Sequence, residues 1–157
     1  MNKQQLANKI WESANKMRSK IEANEYKDYI LGFIFYKFLS DKEVEYLKTL
    51  DWTDVDFPEL TEEDTETADL CKKNIGYFIS YDNLFSTWLK LGKDFDVSNV
   101  TDALSAFERN IDETYKLVFD KIFDTLQIGL NKLGETSGAR TKAIRGLISL
   151  IKDIPMD

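Results

Sequence analysis

The run Tyr29-Ile30-Leu31-Gly32-Phe33-Ile34-Phe35-Tyr36-Lys37-Phe38-Leu39 constrains the fold of this chain more than any other. Nine of its eleven residues are apolar or aromatic. A helix built from it is apolar nearly all round and needs cover from neighbours on several sides. It is too short to cross a bilayer, which takes about 20 apolar residues. The expectation is therefore a central helix in a soluble bundle. Asn24 offers an N-cap for it. Asp41, Lys42, Glu43, Glu45 and Lys48 follow the apolar run. They read as the point, at Ser40-Asp41-Lys42, where the helix leaves the core before ending near Leu50. Gly32 inside the run costs about 1 kcal/mol against alanine, a cost that close approach of a neighbouring helix would offset.

The remaining segments repeat the helical theme. Leu6, Ile10, Met17 and Ile21 lie at helical spacing within residues 3–22, with Lys9, Glu12, Lys16, Arg18 and Lys20 on the other side. Residues 51–60 form a loop around Pro58. Thr61-Glu62-Glu63-Asp64 reads as a helix start, a threonine cap with acids in the first turn, leading to about Lys73. Gly76-Tyr77-Phe78-Ile79-Ser80 has strand character. Asp82 or Asn83 starts a short helix with Leu84, Phe85, Trp88, Leu89 and Leu91, closed by Gly92. Ser98 or Asn99 caps a helix carrying Val100, Leu104, Phe107 and Ile111. A short helix over Tyr115–Leu126 gives way to irregular chain through Gly129, Asn131 and Gly134. The last helix spans Thr141–Lys152, before Pro155. The fold class is all-α, an orthogonal bundle of six to seven helices with room for one short strand or hairpin near residues 76–80.

Composition narrows the chemistry. At 157 residues the chain fits one domain with a sizeable core. It has no histidine and a single cysteine, Cys71. Imidazole catalysis is excluded and a structural zinc site has no ligand set. No two glycines stand at Gly-x-Gly spacing, so no dinucleotide or phosphate loop of that kind can be written. The N-terminus lacks a signal-peptide core, and the expected location is the cytoplasm, with no membrane partner. The formal net charge of −7 argues against a stand-alone nucleic-acid binder. Charge is uneven, however. Residues 51–69 hold nine acids and no lysine or arginine, whereas residues 1–27 hold six basic and three acidic residues. The acids have no calcium-loop spacing and read as a solvated surface.

Several segments, in order, resemble one family. Glu25-Tyr26-Lys27-Asp28 with Tyr29–Leu39 and Ser40-Asp41-Lys42 is similar to the characteristic second helix of the N-terminal helical domain of type I restriction–modification methyltransferase (modification) subunits. Leu6–Arg18, with Ile10-Trp11 and Lys16-Met17-Arg18, resembles the helix before it. Gly76-Tyr77-Phe78-Ile79 followed by Leu84-Phe85-Ser86-Thr87-Trp88 resembles a later segment, as does Ala103-Leu104-Ser105-Ala106-Phe107. Asn131-Lys132-Leu133-Gly134-Glu135-Thr136 resembles the turn before the domain's last helix.

The resemblance implies a parent protein that methylates adenine N6 in DNA with S-adenosylmethionine. It implies assembly with a specificity subunit, a second modification subunit and a restriction subunit. The family's cofactor loop and its Asn-Pro-Pro-aromatic motif, which holds the flipped base, belong to a catalytic domain expected after residue 157. This chain has neither motif and is expected to be inactive alone, with no catalytic, cofactor or metal residues of its own. The domain's expected task is assembly and DNA clamping. Lys132, Arg140, Lys142 and Arg145, on and before the last helix, are the candidate DNA contacts. Cations near a helix N-terminus oppose the macrodipole, so helix stability does not account for Arg140 and Lys142. The alternative is a helical bundle that contacts only protein, for which the net charge and the acidic stretch speak. A small enzyme in its own right has little support, since pairs such as Glu62/Glu66 have no neighbours to tune them as acid and base.

Overall fold

The computed structural model describes residues 23–116 and 136–153, with residues 4, 5, 8 and 123 besides. Five helices organise these residues: α1 (Ala23–Thr49), α2 (Thr65–Asn74), α3 (Phe85–Leu91), α4 (Val97–Arg109) and α5 (Ser137–Ile151). Short 3-10 turns lie at Phe57–Glu59, Tyr81–Asn83 and Gly92–Asp94. The fold is all-α, as the sequence predicts. Gln4, Gln5 and Asn8 are helical and exposed, residues 113–116 are helical, and Phe123 is helical and buried. The rest of the expected first helix, most of the expected helix over Tyr115–Leu126, the chain through Gly134, and Lys132 lie outside the described residues. No described helix is long and apolar enough to cross a membrane.

Helix α1 has 27 residues and is therefore about 40 Å long. It packs against both α3 and α5, and α4 packs against α5 and the 81–83 turn. Its buried side carries Ile30, Phe33, Tyr36, Leu39, Ser40, Glu43 and Leu47. From Phe33 onward the stripe Phe33, Tyr36, Ser40, Glu43, Leu47 steps by alternate threes and fours, the spacing that keeps one helix face against a neighbour. This corrects two expectations. The helix does not leave the core at Ser40-Asp41-Lys42, because Ser40 is 1% and Glu43 0% exposed. Nor is the apolar run covered all round: Leu31 is 54% and Phe38 36% exposed. Its start also differs, since Asn24 lies within the helix rather than capping it.

An aromatic cluster joins the helices. Tyr36 stacks on Trp88 with centroids 4.9 Å apart and planes 10° apart. Phe123 meets Tyr36 edge-on at 5.8 Å and Phe107 edge-on at 5.3 Å. Such pairs contribute about 0.5–1.5 kcal/mol each beyond the area they bury.

Helix starts follow cap chemistry, but later or earlier than the sequence predicts. Asp64, not Thr61, caps α2, accepting from the Thr67 amide at 3.3 Å and the Thr67 hydroxyl at 2.6 Å. Leu60 is buried and its carbonyl takes the Tyr81 amide at 2.8 Å. The chain is thus tethered there, and residues 61–64 form a turn instead of the first helical turn. Asp96, not Ser98 or Asn99, caps α4 and forms a capping box with Asn99. Helix α3 follows a 3-10 turn, and its N-cap residue, Leu84, has no polar side chain to cap it. Thr136 caps α5, accepting from the Ala139 amide at 3.1 Å, so the last helix begins at Ser137 rather than Thr141.

Residues 76–80 run extended between α1 and the end of α4. They make one isolated antiparallel bridge, Tyr77 with Ile111. The Phe78 amide donates to the Asn110 carbonyl at 3.1 Å and the Asp112 amide to the Gly76 carbonyl at 2.9 Å. Gly76 has φ +95°, and a Cβ there would lie 2.7 Å from the Tyr115 ring. Glycine is required on both counts, left-handed backbone and close approach. Tyr77, Phe78 and Ile79 are each 2% exposed or less. An extended segment so buried needs partners for the edge that the bridge does not serve.

Candidate functional site

Helix α1 supplies those partners from its buried polar stripe. The Ile79 amide donates to Glu43 Oε1 at 2.7 Å. The Phe85 amide, at the start of α3, donates to Ser40 Oγ at 2.8 Å. Tyr36 OH donates to the Asn83 carbonyl at 2.9 Å. In return Tyr77 OH donates to the Leu39 carbonyl at 2.7 Å. Three side chains at successive turns thus hold residues 79–85 against α1. Burial pushes the Glu43 carboxyl well above its usual range, and the Ile79 amide opposes this only in part. Its Oε2 is buried and has no hydrogen-bond partner among the described residues. Burial also raises Tyr36, Tyr77 and Cys71, with Glu43 adding to each. The groups are proton-retaining and serve structure. By residue type Glu43 belongs among the surface charges and Ser40 draws no notice. The signal that finds them is their register, since both continue the spacing of Phe33 and Tyr36.

The second feature is α5 and the turn it holds. Ile144, Leu147, Ile148 and Ile151 face the core. The Val97 amide donates to Thr141 Oγ1 at 2.8 Å. One turn later Arg145 Nη2 donates to the Phe95 carbonyl at 2.9 Å and the Lys93 carbonyl at 3.3 Å. Two α5 side chains thereby grip residues 93–97, the lead into α4. Arg140 is half-buried and Lys142 is exposed. Of the four predicted basic residues, the fold therefore brings Arg140, Lys142 and Arg145 onto one helix, with Arg145 bonded to backbone.

The acidic stretch is mostly exposed, yet two of its acids have local tasks. Asp56 takes the Thr53 amide at 2.8 Å, and Asp64 caps α2. Glu62 pairs with Arg109 at 3.1 Å, an exposed contact that adds little stability. No group of three His, Cys, Asp or Glu residues suited to a metal ion occurs among the described residues. For S-adenosylmethionine the sequence offers neither a Gly-x-Gly loop nor a Pro-Pro pair, so no step through that cofactor follows from these residues.

Comparison with known proteins decides the family. The model for the HsdM N-terminal domain matches residues 6–151. The chain belongs to the HsdM N-terminal domain family. This HsdM N-terminal domain is 29% identical over 164 residues to the type I restriction enzyme MpnII methylase subunit of Mycoplasma pneumoniae, covering 95% of the chain and 30% of that protein. Its fold is similar to that of the type I restriction-modification system methyltransferase subunit from Streptococcus thermophilus, with a TM-score of 0.76 at 24% identity. That match covers 98% of this chain and 34% of the other. The chain thus spans about a third of the length of these relatives.

Proposed function

We propose that this domain serves assembly and DNA clamping in a type I restriction–modification methyltransferase subunit. The match to the HsdM N-terminal domain over residues 6–151 carries this reading. In it, the parent protein transfers a methyl group from S-adenosylmethionine to adenine N6, and that chemistry belongs to sequence other than these 157 residues. The partners are DNA, a specificity subunit, a second modification subunit and a restriction subunit, all in the cytoplasm. Arg140 and Lys142, with Lys132, are the phosphate contacts. Arg145 acts beside them. The carboxylates exposed between residues 51 and 69 favour a second reading, in which the domain contacts only protein.

The two readings separate in the assembled methylase containing this chain. Under DNA clamping, Arg140→Ala with Lys142→Ala weakens duplex binding at least tenfold at about 50 mM salt. It also lowers the salt slope by about 0.9 for each phosphate that is no longer neutralised. Co-purification with the specificity subunit stays intact. Unchanged affinity with intact assembly would favour the protein-only bundle.

A further inference from the structure

The run 76–85 is held differently on its two sides. Toward the end of α4 the bonds join backbone to backbone: the Phe78 amide donates to the Asn110 carbonyl and the Asp112 amide to the Gly76 carbonyl. Toward α1 the bonds run through side chains. Glu43 takes the Ile79 amide at 2.7 Å and Ser40 takes the Phe85 amide at 2.8 Å. The Tyr36 hydroxyl donates to the Asn83 carbonyl and the Tyr77 hydroxyl to the Leu39 carbonyl. Of these four side chains, only a carboxyl can change its charge near neutral pH. The neighbouring amides of Phe78 and Ile79 thus hang on opposite sides of the run, one on a backbone carbonyl and the other on Glu43.

We infer that the contact between Glu43 and this run is a proton-gated seam, which opens locally when the carboxyl ionises while the run stays with α4. A carboxylate in a water-free site is costly unless several donors surround it. Glu43 is fully buried, and its Oε2 has no hydrogen-bond partner among the described residues. Parting α1 from the run breaks bonds made by side chains and lets water reach the carboxylate. Parting the run from α4 would break backbone pairs and leave the contact between Glu43 and Ile79 shut. The stack of Tyr36 on Trp88 lies about 10 Å before Glu43 along α1 and joins α1 to α3. Opening at Glu43 therefore leaves the bundle assembled. The groups facing Glu43 are Tyr36 on its own helix, Tyr77 on the run and Cys71 on α2, with Asp64 acting on Cys71 in turn. Burial, and then Glu43, keep Tyr36, Tyr77 and Cys71 protonated into the alkaline range. The gate thus titrates as one carboxyl, whose own range burial raises.

Native-state hydrogen exchange of the protein from about pH 5 to pH 8 tests the seam, each rate being divided by that of an unprotected amide at the same pH. The closed state holds the proton and the open state releases it. Protection at Ile79 should therefore fall as pH rises from the ordinary carboxylate range to the raised one, by up to about tenfold per pH unit. It should also stay at least about tenfold below the protection of Phe78 and of Leu147 in α5, whose amides remain bonded when the seam opens. In Glu43→Gln the protection of Ile79 should be flat with pH. Constant protection of Ile79 in the unaltered protein overturns the gate, as does a slope that survives in Glu43→Gln. Protection that falls with pH but equals that of Phe78 and Leu147 means that Glu43 meets water only on global unfolding, and it overturns the seam. The comparison of Ile79 with Phe78 and Leu147 needs no variant, so it decides the matter even if Glu43→Gln does not fold.

Discussion

Replacing Trp88 with alanine is expected to cost about 3–5 kcal/mol of folding stability. The side chain is 1% exposed. It stacks on Tyr36 of α1 and meets Phe85 at 5.9 Å and Phe95 at 6.2 Å. One indole thus fills the space between α1, α3 and the turn leading into α4. No single neighbour can collapse into the cavity that alanine leaves, which places the cost high in the range for such changes. Domains of this size hold only about 5–15 kcal/mol in total. Urea denaturation should show a large drop in midpoint. Trp88→Phe should lose much less, because the indole Nε1 has no hydrogen-bond partner among the described residues to forfeit. Equal losses in the two variants would mean that the ring stack does not hold these elements together.

Glu43→Gln is expected to stabilise the protein increasingly as pH rises. The Glu43 carboxyl is buried and held well above its usual range. Between its unfolded and folded values the native state therefore binds the extra proton. Stability from this group is fully present below the ordinary carboxylate range and is lost as pH rises toward the raised folded value. The loss runs at up to about 1.4 kcal/mol per pH unit. Glutamine keeps an oxygen for the Ile79 amide and cannot ionise. The titratable groups coupled to Glu43 are Tyr36 on its own helix, Cys71 on α2 and Tyr77 on the extended segment. All three keep their protons throughout this window, so the difference between the two proteins isolates Glu43. Urea unfolding from about pH 5 to pH 8 should give curves that diverge with pH. Parallel curves would show that Glu43 does not titrate with a raised value.

Much of the fold is legible in the sequence because hydrophobic spacing carries it. The apolar faces of α4 and α5, the central place of α1 and the extended run at 76–80 are all visible there. Helix starts are less legible, since good cap residues are common in this chain. Thr61 and Asp64 are both competent caps, and only the tether between Leu60 and Tyr81 selects the second. Ser40 and Glu43 look like the polar end of a helix when read by residue type. Their register says otherwise, but register alone cannot reveal that an extended segment without a second strand will need their oxygens. For the basic residues, sequence groups Arg140, Lys142 and Arg145 by charge. Only the fold distinguishes an exposed lysine, Lys142, from an arginine, Arg145, spent on two carbonyls.

Closure of this domain on DNA is tested most directly by a photoactivatable cross-linker placed at Lys142 in the assembled methylase bound to a labelled duplex. The expected result is an irradiation-dependent adduct with DNA, which disappears when the cross-linker is moved to the exposed acidic position Glu63. Adducts with protein subunits alone from position 142, or equal DNA adducts from both positions, would contradict DNA clamping.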